Sequence, residues 1–130
     1  MASILKVDDL RGNTAAGNIT ITSEGGSATM QLQQGVAKAF SNFDGTAGSV
    51  AFADSFNYSS VTDNTTGDFN LSFTNNMGNT AYTPTIACTF FNGIYSGGVL
   101  AASIRIFTSN ASGTLQDRTD TVTAIHGDLA

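Results

Sequence analysis

Few side chains in this sequence could do chemistry. It holds one histidine, His126, and one cysteine, Cys88. His126 stands in Ala124-Ile125-His126-Gly127-Asp128, where an extended backbone would turn His126 and Asp128 to the same side. Acid–base work would also need a cleft and a second aligned group. The sequence nominates neither, so His126 reads as a surface or interface residue near the chain end. Cys88 lies in the apolar run Thr85-Ile86-Ala87-Cys88-Thr89-Phe90, which predicts a small buried core residue. A single cysteine allows no intrachain disulfide.

Acidic groups offer little more. Asp8 and Asp9 with Glu24, or Asp63 with Asp68, could supply oxygen ligands to calcium, but the alternating Asp-x-Asp-x-Asp-Gly of an EF-hand is absent. Asp63-Asn64-Thr65-Thr66-Gly67-Asp68 reads instead as a turn built on Asx side chains. Gly97-Gly98-Val99 lacks the lysine and following helix of a phosphate loop. Glycan cleavage would need paired carboxylates in a groove, and acids are sparse. The expectation is a non-enzymatic protein with no catalytic residue, no metal and no cofactor.

The elements that would carry these residues are β-strands. Asn18 to Thr22 alternates with period two, and Ala28 to Gln33 does the same across a Gly25-Gly26 turn, which predicts a hairpin. Val36 to Phe43, Ser55 to Val61, Tyr82 to Phe91, Val99 to Thr108 and Thr121 to His126 read as further strands. Asp68 to Thr74 is the cleanest alternation, with Phe69, Leu71 and Phe73 on one face and Asn70 and Ser72 on the other. Pro84, the only proline, marks an edge position or a strand start. Eight or nine short strands at this spacing predict an all-β fold, a short N-terminal β anchor followed by an antiparallel, jelly-roll-like β-sandwich.

Composition divides the chain unevenly. The segment 36–130 holds every Phe and Tyr. We therefore expect an anchoring and trimerisation segment over 1–34 and a head domain over 35–130. The thin first segment cannot bury Ile4, Leu5, Val7, Ile19, Ile21, Met30 and Leu32 by itself, because a lone hairpin is marginal in water. Copies intertwined about an axis would cover those side chains, and a homotrimer is the expected arrangement.

Charge narrows the partners. Charged residues make up 12% of the 130, about half the usual share, so hydroxyls and amides solvate the surface, a style suited to extracellular β proteins and virion components. Net charge is −5, and Lys6, Arg11, Lys38, Arg105 and Arg118 are scattered without a basic stripe. No nucleic-acid partner is expected on these terms, and no apolar run is long enough for a membrane span. No signal peptide is visible at the start, so the expectation is synthesis in a cytoplasm. The loops 63–67, 75–79, 92–98 and 110–113 are rich in Asn, Ser, Thr and Gly. Asn64, Thr65, Asn76, Asn79, Ile94, Tyr95 and Asn110 are the expected loop binding surface, able to take a glycan through their amides and an aromatic face.

The segment Ile4-Leu5-Lys6-Val7-Asp8, Gly12 to Gly26 and Met30-Gln31-Leu32-Gln33-Gln34-Gly35 resembles the start of small structural, tail-fibre-like virion proteins of tailed phages of aquatic bacteria, cyanophages above all. Ala37 to Thr46, Asp54 to Asn57, Asp63 to Phe69 and Ala124 to Ala130 continue the likeness over nearly the whole chain. Relatives often carry Trp near Phe40, and this chain has none, so Phe is expected to fill that core role. The resemblance implies a virion component that self-associates, a homotrimer with an N-terminal anchor and a C-terminal β knob. An appendage or fibre-type protein touching other virion proteins and the host surface is the first expectation. A capsid decoration or cement protein is the alternative.

Overall fold

The alternation from Asp68 to Phe73 sets the centre of the fold. In the computed structural model, which describes residues 5–13, 19–23 and 25–130, ten strands and one helical turn follow in order. They are β1 (Thr20–Thr22), β2 (Thr29–Gln31), α1 (Leu32–Gly35), β3 (Ala39–Phe43), β4 (Phe52–Phe56), β5 (Tyr58–Thr65), β6 (Asp68–Phe73), β7 (Thr83–Ala87), β8 (Asn92–Val99), β9 (Ser103–Thr108) and β10 (Thr121–His126). The chain forms two compact units, Met1–Val36 and Ala37–Ala130.

In the first unit β1 and β2 form a two-stranded antiparallel sheet, with Ile21 opposite Met30. The strand expected through Gln33 ends at Gln31, where the chain enters α1. Leu32 thus sits in a helical turn, and its N–H reaches the carbonyl of Ile19 at 2.7 Å.

The second unit is an all-β antiparallel sandwich. One sheet has the order β4-β3-β10-β7 and the other β5-β6-β9-β8. Phe69, Leu71 and Phe73 of β6 point inward, as do Ile104 and Ile106 of β9, and all are buried. Ala39 and Phe43 of β3 and Ile125 of β10 meet them from the other sheet. A run of rings joins the two sheets: Phe69 on Phe43 (5.2 Å between centroids), Phe52 on Tyr58 (5.5 Å), Tyr58 on Phe73 (5.1 Å), Phe73 on Tyr82 (5.8 Å). Such pairs add about 0.5–1.5 kcal/mol each beyond the area they bury.

Buried hydroxyls accompany these rings. Ser41 and Thr123 share a 2.8 Å bond, and Tyr58 reaches Thr123 at 3.0 Å. Among the described residues, every buried side-chain nitrogen or oxygen has a partner. This satisfaction matters, since an orphaned buried polar group costs about 1–3 kcal/mol.

Several elements differ from expectation. Ser55 to Val61 is two strands in different sheets, β4 and β5, with Asn57 between them at φ 58°. Asn is one of the few residues that accepts this left-handed conformation. Its side chain fixes the corner, donating to the Asn75 carbonyl at 3.0 Å and accepting from the Asn75 N–H at 2.7 Å. The expected loop 63–67 is strand as far as Thr65, and the turn is Thr66-Gly67 alone. Gly67 takes φ +69°, and a Cβ there would strike the Thr108 carbonyl.

The expected connector 92–98 is strand β8. The long strand expected over 99–108 begins only at Ser103, because the chain turns at 100–102. Pro84 lies in β7, at the edge of its sheet, where no donor is missed.

Candidate interaction surfaces

The N-terminal hairpin presents two unlike faces. Thr20 and Thr22 alternate with Ile21 on β1, and Ile21 pairs with Met30 across the sheet. Ile21, Ser23, Ala28, Thr29 and Met30 line a shallow depression of about 190 Å³. Ile21 is 43% exposed and Met30 51%, while Leu5 and Val7 are exposed at 77% and 54%. Ile19 and Leu32 are half-buried. Ile4 lies outside the described residues. No described residue between 5 and 36 is buried, so the described residues of this unit carry apolar side chains without a core among them.

The expected loop binding surface does not assemble. Asn64 and Thr65 are exposed residues of strand β5, beside the Thr66-Gly67 turn. That turn is tied to the other connections at its end of the sandwich: Thr108 donates to the Gly67 carbonyl at 2.9 Å, and Asp117 accepts from the Gly67 N–H at 2.6 Å. Asn110 belongs to the same end, where its Oδ1 accepts from Ser112 and Thr114 and so closes its own loop. Asn76 and Asn79 lie at the opposite end, where Met77 donates to Ala101 and Gly78 to Asp128. The six residues of β6 separate the two ends by about 20 Å. Ile94 is a strand residue that packs on the core, because its place opposite Ile106 turns it inward.

Tyr95 takes the outer side of the same strand. The Arg105 guanidinium lies 4.7 Å from its ring centroid, and Phe107 meets it edge-on at 5.6 Å. Arg105 also grips Asp68 through two bonds, Nε to Oδ1 at 2.9 Å and a terminal nitrogen to Oδ2 at 2.5 Å. Asn64 donates to Asp68 as well, at 3.1 Å. The Arg105 hydrogen bond holds the Asp68 carboxyl below the usual carboxylate range, against the opposing effect of burial. Arg105 is raised by the same bond. Both Asp68 oxygens are therefore engaged by a cation of the chain itself.

The reactive residues stay apart. Cys88 is not in the core: it is half-buried just past β7, with its thiol 3.7 Å from the Phe91 carbonyl. The strand that would have buried it ends at Ala87. His126 closes β10, half-buried and paired with Thr83. Among the described residues no three of His, Cys, Asp and Glu gather as a metal ion requires, and no helix is long and apolar enough to cross a membrane.

No protein-family model, curated protein or solved structure matches the chain. A functional reading therefore rests on its surfaces. One of them escaped the sequence reading. Phe40, expected in the core, is 41% exposed, and it stacks on Phe56, itself 52% exposed, at 6.0 Å. The signal was available: Phe40 and Phe43 are three apart, so one strand cannot turn both inward. Phe90 and Phe91 form a second exposed pair between β7 and β8, with Arg118 4.5 Å over the Phe90 ring.

Proposed function

We propose that this chain is a non-enzymatic structural component of a bacteriophage particle, of the appendage or fibre type. It self-associates through its N-terminal unit as a homotrimer, and the β-sandwich is its exposed knob. One observation carries the reading: the unit Met1–Val36 has a hairpin with an Ile21/Met30 face yet no buried residue among those described. Two three-residue strands cannot hold themselves together in water. Neighbouring copies supply the missing apolar contact, and a three-fold axis brings three such faces into one closed seam. The resemblance to virion proteins and the charge-poor, hydroxyl-rich surface support the same reading. The knob's amide-rich ends then look outward, toward other virion proteins and a host glycan or protein.

Light scattering of the purified chain tests the self-association, with a trimer or a whole multiple of it expected and a monomer at micromolar concentration contradicting it. Mass spectrometry and density maps of purified virions test the location. A few tens of copies per particle, or fewer, support an appendage, and hundreds a capsid cement protein. Absence from the particle would refute both.

A further inference from the structure

The outer face of the β4-β3-β10-β7 sheet is unusual for a charge-poor protein of net charge −5. The strand register lays two full rows of outward side chains across the four strands, with His126 and Thr83 beginning a third. Phe56, Phe40, Ala124 and Thr85 form one, and Asp54, Asn42, Val122 and Ala87 the other. Asp54 is the only full charge in either row. Bulk is graded across the face. The two stacked phenyl rings rise on β4 and β3, while Ala124, Thr85 and Ala87 form a low shelf on β10 and β7. An open depression of about 410 Å³ spans ridge and shelf.

We propose that this face binds the same face of a second copy of the chain. The two copies are related by a two-fold axis parallel to the strands, and each seats Phe40 and Phe56 on the other's Ala124 and Thr85. Such a rotation exchanges β4 with β7 and β3 with β10 while keeping each row in place. It sets Phe40 over the partner's Ala124, Phe56 over Thr85, Asn42 over Val122 and Asp54 over Ala87. Large side chains meet small ones along the ridge and shelf, which makes the face complementary to itself, as a two-fold interface demands. No acid meets an acid, and Asp54 stays at the rim on an edge strand, where water reaches it.

Sheet-on-sheet stacking also fits better than strand addition, because Pro84 guards the β7 edge. Four strands by about five residues give a flat footprint of roughly 300 Å² per copy. Counted over both copies, that is below the total of about 1,000 Å² expected of a stable interface, so the contact is weak and reversible and gains strength when another interface already joins the chains. This second interface is independent of the hairpin seam.

The test uses full-length chains in sedimentation velocity, each variant first shown to be folded by near-ultraviolet circular dichroism. Phe40→Glu and Ala124→Arg are each expected to halve the assembly mass. Mixed together, they are expected to restore it. The carboxylate introduced in one copy then faces the guanidinium introduced in the other, while the second half of the interface stays native. Ile21→Asp, which breaks only the hairpin seam, is expected to leave dimers. Unchanged mass in the two single variants, or no recovery on mixing, overturns the two-fold face. Ile21→Asp that stays monomeric even at the highest chain concentration reached overturns it too, and leaves the hairpin reading intact. Dimers in wild type that Ile21→Asp does not alter would sink the hairpin reading and leave the two-fold face standing.

Discussion

Replacing Ile21 by Asp is the most direct challenge to the self-association reading. Ile21 is 43% exposed in the single chain, so covering the remainder contributes about 1 kcal/mol per chain at the usual value for a buried Ile. Placing a carboxyl group in the seam instead costs at least about 2 kcal/mol more, even if the group protonates to avoid carrying charge. The sum is about 3 kcal/mol per chain and roughly 9 kcal/mol per trimer, since a three-fold seam repeats the change three times. That is about six to seven decades in the trimer association constant. The midpoint concentration varies as the square root of that constant, so it rises roughly a thousandfold.

Sedimentation velocity across a concentration series reads this midpoint directly. Thr22→Asp is the control, because it adds the same charge one residue away on the opposite face. The expected result is a large loss of trimer in Ile21→Asp and a change below tenfold in Thr22→Asp. Equal effects of the two would show that net charge governs assembly, and the apolar seam would be refuted.

Three further outcomes are expected. Gly67→Ala should lower unfolding stability by about 2–4 kcal/mol in denaturant titration, because φ +69° and the Thr108 carbonyl both exclude a Cβ. Arg105→Met should weaken the acid limb of the stability profile. Asp68 is depressed by Arg105 when folded, so its contribution is present above the ordinary carboxylate pKa and lost as pH falls through the folded value; thermal melts from about pH 6 to 2 should show a smaller loss in the variant. Burial pushes Tyr58 and Tyr82 up to about 12. The folded state then binds protons more tightly than the unfolded chain between about pH 10 and 12, and stability must fall across that window. Absorbance of tyrosinate and circular dichroism should therefore change together there, and Tyr58→Phe should reduce the alkaline loss.

The sequence made β6 and its inward Phe69, Leu71 and Phe73 plain, because a half-buried strand writes its own period of two. It also marked Pro84 as an edge position or a strand start, and Pro84 is the second residue of the edge strand β7. The corner at Asn57 was hidden, since no Gly or Pro marks it and its left-handed backbone is secured by Asn75, eighteen residues on. Strand β8 was hidden by its glycines. Gly93 lies under the Phe107 ring, 2.7 Å from where a Cβ would stand, so pairing with β9 overrides the poor strand propensity. The same override moved Ile94 from an imagined loop tip to the edge of the core. Of the candidate surfaces, the hairpin's apolar face was legible from alternation alone, whereas the Phe40–Phe56 face needed the register between β3 and β4.

The position of β9 and β10 has a consequence for how the knob is made. Each fills an interior slot of its sheet, and β7 and β8 have no other ladder neighbours. A polypeptide that has left the ribosome only as far as residue 102 can form the β3–β4 and β5–β6 hairpins, but both sheets still have an open gap with greasy walls. Closure joins Ala39 to Ile125, across most of the knob's length, a span that favours slow, late consolidation. Until then unpaired ladders wait beside identical nascent neighbours, so swapping of these two strands between copies is the characteristic hazard of crowded synthesis.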